Sequence, residues 1–89
     1  MSTHNDKNLI HMINQIAVNL RGGHDEETAA AAICRHLETF WARPMKQRLV
    51  ASLEREDDEL SPLARRAALL LAERLLAERL LAERQARST

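Results

Sequence analysis

Four residues, Gly22, Gly23, Pro44 and Pro62, are the only strong helix breakers in this chain of 89 residues. Glycine ends helices readily because it adopts the left-handed conformation, and proline is well tolerated in the first turn of a helix. The breakers therefore divide the chain into four segments that can each form a helix. Tyrosine is absent and only two residues are aromatic, so little in the sequence favours strands. We predict an all-α fold, a small four-helix domain with a long C-terminal helix.

The first two segments each carry an apolar stripe at helical spacing. The first helix is predicted to follow Asn5 or Asp6, either of which can cap it, and to end at the glycine pair. The second is predicted to begin near Asp25 and to end about Ala42 or Arg43, because the residue before a proline resists the helical conformation. The two stripes consist of Leu9, Ile10, Ile13, Ile16, Ala17 and Leu20, and of Ala29, Ala30, Ile33, Cys34, Leu37, Phe40 and Trp41. The alanine run at 29–32 predicts a close approach between helices.

The remaining breakers mark the start of two further helices. Pro44 suits the first position of a third helix, whose apolar residues are Met45, Leu49, Val50 and Leu53. The charged stretch 54–59 is interpreted as a fraying helix end followed by a solvated loop. Ser61 and Pro62 form a strong helix start, and the fourth helix is predicted to run to about Gln85.

The fourth helix contains an unusual repeat, because Leu-Leu-Ala-Glu-Arg occurs at 70–74, 75–79 and 80–84. Each copy is rotated by roughly 140° from the previous one, so the leucines spiral around the helix and form no coiled-coil heptad. Arg74 with Glu78, and Arg79 with Glu83, have the spacing of intrahelical ion pairs. Two interpretations stay open: a helix bound by a partner on several sides, or a tolerated low-complexity tail. We accordingly divide the chain into a helical domain, 1–69, and a leucine-rich extension, 70–89.

Composition excludes several classes of partner. Thirteen basic and thirteen acidic residues balance, so the chain has no general electrostatic attraction to nucleic acid or anionic lipid. We expect no membrane segment and no secretory signal, because the N-terminus is polar and no apolar run of about 18 residues is present. The single cysteine permits no intramolecular disulfide, and we expect a cytoplasmic location. A chain this short is expected to be marginally stable and to need a partner.

The residue types that most often carry chemistry form no recognisable site. His4, His11, His24, His36 and Cys34 are the only conceivable metal ligands, and they lack the paired short spacing of zinc sites. Cys34 lies in an apolar stripe, which favours a buried structural thiol over a nucleophile. The sequence therefore predicts no catalytic group, no metal site, no cofactor held by this chain and no small-molecule substrate.

Both aromatic residues lie in the segment 40–46, Phe-Trp-Ala-Arg-Pro-Met-Lys. Tryptophan, arginine and methionine are enriched in the cores of protein interfaces. The same segment could instead anchor the corner between the second and third helices. We assign Phe40 to the core and expect Trp41 to be shared with a partner or exposed.

Three short motifs follow one another over roughly residues 8–68. They consist of Met12-Ile13-Asn14-Gln15-Ile16-Ala17, then Ile33, His36, Leu37, Phe40 and Trp41, and finally Leu60, Pro62, Leu63 and Ala67. In order and spacing they resemble the delta subunit of NAD-dependent formate dehydrogenase, the soluble multi-subunit molybdenum or tungsten type. The chain departs from that family at Ala42, where an aspartate is usual, and at Arg43-Pro44, where the order is usually reversed.

The resemblance implies a non-catalytic accessory subunit that helps assemble or stabilise the enzyme complex. Its implied partners are the catalytic and NAD-reducing subunits of formate dehydrogenase, which would carry molybdopterin, iron–sulfur clusters, FMN and NAD. The residues expected to contact these partners are Asn14, Gln15, His36, Trp41, Arg43, Met45 and Lys46. Trp41 is expected to be the buried anchor of that contact. An alternative of another class is a free-standing regulator or adaptor protein that self-associates through the fourth helix.

Overall fold

The computed structural model describes residues 3–54 and 59–88, and within these ranges the chain forms four α-helices and no strand. The helices are α1 (Thr3–Arg21), α2 (Glu26–Phe40), α3 (Arg43–Ser52) and α4 (Pro62–Ser88). With 27 residues, α4 is the longest of them. The predicted all-α fold with a long C-terminal helix is confirmed.

The end of α1 follows the sequence prediction, whereas its start does not. Gly22 comes directly after the last helical residue, Arg21, and its φ of +53° lies in the left-handed region that favours glycine. At the other end, α1 begins at Thr3, so Asn5 and Asp6 lie inside the helix and the predicted cap at either of them is wrong. An acidic residue is favourable in a first turn as well as at the cap, which explains the ambiguity.

α2 starts near Asp25 as predicted, and Asp25 is its cap. Its Oδ2 accepts a hydrogen bond from the backbone N–H of Thr28 at 3.2 Å, and its Oδ1 accepts one from the Thr28 hydroxyl at 2.6 Å. These bonds to the charged carboxylate lower the pKa of Asp25. The start of α2 at Glu26 is thereby fixed three residues after the last glycine.

The boundary between α2 and α3 differs from the prediction by one to three residues. α2 ends at Phe40, earlier than the predicted Ala42 or Arg43, and α3 begins at Arg43 with Pro44 in its second position. Proline fits anywhere in a first turn because the N–H groups there have no partner within the helix. The backbone N–H of Lys46 donates to the carbonyl of Ala42 at 3.1 Å and closes that turn.

The start of α4 agrees with the sequence. The Ser61 hydroxyl accepts a hydrogen bond from the backbone N–H of Ala64 at 3.2 Å, which is the expected cap. The helix continues to Ser88, slightly beyond the predicted end. The loop predicted over 54–59 falls largely outside the described residues, so the interpretation of that stretch stays a prediction.

The hydrophobic core is centred on α2, and α4 is its most extensive neighbour. The buried residues are Leu9, Ile10, Ile13, Ala17, Ala29, Ala30, Ile33, Cys34, Leu37, Trp41, Leu49, Leu60, Leu63, Ala64, Ala67, Ala68 and Leu71. Small side chains dominate where α2 meets α4, since alanines on both helices are fully buried. In the alanine run, Ala29 and Ala30 are buried, whereas Ala31 and Ala32 are exposed.

Two ion pairs show that α4 runs parallel to α2. Near the start of both helices, Arg66 forms a bidentate ion pair with the carboxylate of Glu27. Its Nε donates to Oε2 at 2.7 Å, and its Nη2 donates to Oε1 at 3.1 Å. Near the end of α2, Arg74 lies 3.9 Å from Glu38. The Arg66 contact lowers the pKa of Glu27 and raises the pKa of Arg66, because it favours the charged form of each group.

The last part of α4 extends beyond the core. Leu71 is its last fully buried residue, and Leu70 and Leu75 are half-buried against the core. Every residue from Leu76 to Arg87 is exposed. Because α4 is parallel to α2 and continues past the end of α2, we call residues 76–87 the exposed tail.

Candidate partner-binding surface

Two residues with extended backbones, Trp41 and Ala42, make the corner between α2 and α3. The N–H of Trp41 donates to the carbonyl of Leu37 at 3.0 Å and completes the last turn of α2. At Trp41 itself the backbone adopts φ −93° and ψ 138°, which turns the chain away from the helix axis. The side chains of Phe40 and Trp41 therefore leave the corner in different directions.

The assignment of the two aromatic residues from sequence is wrong in both parts. Trp41 belongs to the core and is 7% exposed, whereas Phe40 is 71% exposed. Phe40 continues the stripe of Ile33 and Leu37 by spacing, but it is the last residue of α2 and lies beyond the packed part of the helix. The proline rule predicts a helix end two or three residues after Phe40, so no local signal in the sequence identifies Phe40 as exposed.

A histidine accompanies the exposed phenylalanine on α2. His36 lies one helical turn before Phe40, and the two ring centroids are 4.8 Å apart with an interplanar angle of 44°. A tilted ring pair at this distance is a favourable aromatic arrangement. We use the term corner surface for His36, Phe40 and Arg43, which is the exposed first residue of α3.

The helix that follows the corner is basic. Between Arg43 and Ser52 the sequence contains Arg43, Lys46 and Arg48 and no acidic residue. Arg43 lies 3.9 Å from Glu78 of α4, but both side chains are mostly exposed, so this ion pair contributes little to stability. The guanidinium can accordingly exchange this partner for another carboxylate.

The other residues expected at a partner interface have different surroundings. Met45 and Lys46 are half-buried, and Met45 packs against the core. Gln15 is exposed on α1. Asn14 is half-buried and already hydrogen-bonded within the chain: its Nδ2 donates to the carbonyl of Glu59, and its Oδ1 accepts from the N–H of Ser61, both at 2.9 Å. The structure thus gives Asn14 a role inside the fold, where it attaches the start of α4 to α1.

Replacing Asn14 by alanine is expected to lower the free energy of unfolding by about 1–2 kcal/mol, because two hydrogen bonds to the segment before α4 are lost. Urea denaturation followed by circular dichroism measures this change. The matched control is Asn14→Asp, which keeps an acceptor for the N–H of Ser61 but cannot donate to the carbonyl of Glu59. An alanine variant as stable as the unmodified chain would contradict the bridging role.

A groove lies between α3 and the distal part of α4. Its volume is about 520 Å³, and its lining residues are Arg43, Gln47, Val50, Ala72, Leu75, Leu76, Glu78, Arg79 and Ala82. Val50 and Leu75 are packed against the core, and the two arginines and Glu78 are exposed. The groove extends the corner surface along α4 and combines apolar side chains with charged ones, as partner-binding surfaces often do.

Chemistry-bearing side chains are not grouped in the described part of the chain. Cys34 is buried, its Sγ lies 4.0 Å from Glu38 Oε1, and burial raises the pKa of the thiol. Among the described residues no three histidine, cysteine or acidic side chains are placed to hold a metal ion. No helix within the same ranges is both long enough and apolar enough to cross a bilayer.

Comparison with known proteins identifies the family. A family model described as the NADH-dependent formate dehydrogenase delta subunit, FdsD, matches residues 8–68. No curated protein and no solved structure matches the chain. The matched segment contains α2, α3, the corner surface and most of the core, and it ends shortly before the leucine repeat. The chain belongs to the FdsD family of formate dehydrogenase delta subunits.

Proposed function

We propose that this chain is a non-catalytic accessory subunit that helps assemble or stabilise an NADH-dependent formate dehydrogenase. Its partners would be the catalytic and NAD-reducing subunits, and it would contact them through the corner surface. The observation that supports this proposal most directly is the exposure of Phe40, at 71%. In a chain with only two aromatic residues, one of them is kept in the core and the other is presented to solvent.

The residues that carry the family resemblance support the same surface. Most of them are explained by the fold, since Ile13, Ile33, Leu37, Leu63 and Ala67 are buried. The core does not explain His36 and Phe40, because neither side chain is buried in it and their rings contact each other at the surface. Aromatic side chains contribute much of the binding energy at protein interfaces. A role in partner binding accounts for both residues.

The charges next to the corner suggest the chemistry of the partner. Arg43, Lys46 and Arg48 give α3 a positive surface without an acidic residue on the same helix. Arg43 and Lys46 would pair with carboxylates or carbonyl groups on the partner, which fixes the orientation of the complex. Trp41, which is buried in the core at the same corner, would hold the corner in place from within, whereas the sequence predicts it to be the anchor itself. Met45 and the exposed Gln15 would add contacts at the edge.

The proposed role requires no chemistry from this chain. Molybdopterin, iron–sulfur clusters, FMN and NAD would all be held by the other subunits, and the complex would act in the cytoplasm. A subunit that binds only the folded form of its partner stabilises that form by mass action, by about 2.7 kcal/mol at a concentration one hundred times the dissociation constant. An accessory subunit can therefore maintain an enzyme without contacting its substrate.

The test is co-purification of the formate dehydrogenase subunits with the tagged chain from its native cells. Phe40→Ala is expected to reduce the amount of recovered enzyme subunits by about tenfold or more, the size of effect expected at an interface hot spot. The matched control is Val18→Ala on α1, which truncates another apolar side chain of almost equal exposure, 72%. Val18 lies at the end of the α1–α2 pair opposite to Phe40. Val18→Ala is expected to leave recovery unchanged.

Three outcomes would contradict the proposal. Full recovery with Phe40→Ala would exclude the corner surface as the main contact, and equal losses with both variants would point to a general effect on the chain. If the unmodified chain recovers only copies of itself, the accessory role is wrong. Circular dichroism of both variants shows whether the helices are retained.

A further inference from the structure

The side of α4 that faces away from the core carries a regular set of exposed side chains. Glu73, Ala77, Leu80 and Arg84 are all exposed and follow one another in steps of four, three and four residues. Steps of this kind keep side chains on one side of a helix, as in the contact line of two paired helices. The set lies roughly 150° around the helix from the buried Leu71. We call these four residues the outer seam.

The outer seam has apolar side chains at its centre and opposite charges at its ends. Leu80 and the adjacent Leu76 are 56% and 57% exposed, although leucine is a residue that folding normally buries. Among the described residues, neither Glu73 nor Arg84 forms a hydrogen bond or a close ion pair, although Glu73 is near enough to Arg66 to contribute to the raised pKa of that guanidinium. This surface lies entirely beyond the family segment, which ends at residue 68.

The seam is complementary to the seam of a second copy of the chain when the two helices are antiparallel. When two copies of α4 are placed antiparallel with the symmetry axis between Glu78 and Arg79, Glu73 of each copy faces Arg84 of the other. In the same register Ala77 of each copy faces Leu80 of the other, so a small side chain packs opposite a large one. Apolar contacts at the centre and opposite charges at both ends are the pattern of a paired helix.

We propose that the outer seam binds a second copy of this chain, and that two α4 helices associate antiparallel. A parallel pair is disfavoured, because it would place Glu73 against Glu73 and Arg84 against Arg84. The leucine repeat has no heptad period, but it still supplies Leu80, the central leucine of the seam. Successive five-residue units are rotated around the helix, so their leucines fall on different sides of α4 and one of them lies in the seam. The proposal goes beyond the accessory role and does not depend on it.

The experiment uses the full chain, purified alone, with its molar mass measured by light scattering during size-exclusion chromatography at low salt. The unmodified chain is expected to be a dimer at micromolar concentration. Glu73→Arg and Arg84→Glu, made separately, each place two like-charged pairs in the dimer and are expected to weaken it by about tenfold or more. Arg79→Glu makes the same change of charge off the seam and is expected to leave the dimer intact.

Recombining the charges gives the decisive result. An equimolar mixture of the Glu73→Arg and Arg84→Glu chains restores both opposite-charge pairs and is expected to form a heterodimer. The chain that carries both substitutions is expected to form a homodimer again. The proposal is wrong if the unmodified chain is a monomer, if the single variants dimerise as well as the unmodified chain, or if the doubly substituted chain stays monomeric while its circular dichroism shows intact helices.

Discussion

Replacing Trp41 by alanine is expected to lower the free energy of unfolding by about 3–5 kcal/mol, the usual effect of removing a large aromatic side chain from a core. Trp41 is 7% exposed and belongs to the cluster that joins all four helices. Its removal leaves a cavity at the corner between α2 and α3, where the backbone is fixed by the bond to Leu37 and cannot easily collapse. Since small domains are stabilised by only about 5–15 kcal/mol in total, much of the chain is expected to be unfolded.

The adjacent aromatic residue provides the control. Phe40→Ala removes a side chain that is 71% exposed and is expected to change the free energy of unfolding by less than about 0.5 kcal/mol. Circular dichroism in a urea series measures both variants, since the only tryptophan is absent from one of them. Equal losses of stability would show that the two side chains share the core. Together with co-purification, the pair separates folding at this corner from binding.

Enlarging Ala30 to leucine is expected to destabilise the chain by about 1–3 kcal/mol, the cost of overpacking a closely packed core. Ala30 is fully buried on the side of α2 that meets the alanines of α4, so the longer side chain has to push the helices apart or adopt an unfavourable rotamer. Leucine and alanine both favour helices, so the change in intrinsic propensity is small. The expected effect comes from packing between α2 and α4.

The alanine run contains its own control. Ala31→Leu makes the same substitution one residue later, at an exposed position, and is expected to change stability by less than about 0.5 kcal/mol. Thermal unfolding of the two variants and the unmodified chain measures the difference. A variant at position 30 that is as stable as the variant at position 31 would mean that the contact between α2 and α4 has room for larger side chains.

The number of helices and three of their boundaries followed from a few local rules. Gly22 ends α1, Asp25 starts α2 and Ser61 starts α4, each because one residue satisfies or frees the backbone groups at a helix end. Such effects act over one turn and can be read from the sequence. The apolar stripes likewise predicted most of the core, because the spacing that places residues on one side is a property of the helix alone.

The corner surface could not be predicted from spacing. Phe40 has the spacing of a core residue, yet it is exposed at the end of α2, and which side chains at a helix end are covered is a tertiary property. The sequence predicts that Asn14 contacts a partner. In the structure, however, the segment after α3 lies beside α1, and its backbone groups at Glu59 and Ser61 form hydrogen bonds with the Asn14 amide. The spacing along α4 also did not predict the ion pairs. Arg74 and Glu78 could have paired with each other, but Arg74 approaches Glu38 of α2 and Glu78 approaches Arg43 of α3. In each case a contact between distant segments decided the outcome.

The burial of Cys34 makes its chemical reactivity a measure of how often the core opens. The chain has a single cysteine, and its side chain lies in the core on α2, the helix that packs most extensively against α4. A thiol reagent can reach the sulfur only when the surrounding helices separate, so the rate of labelling under native conditions reports the population of opened molecules. Comparing that rate for the free chain and for the chain bound in its complex gives the free energy by which the partners hold this subunit closed.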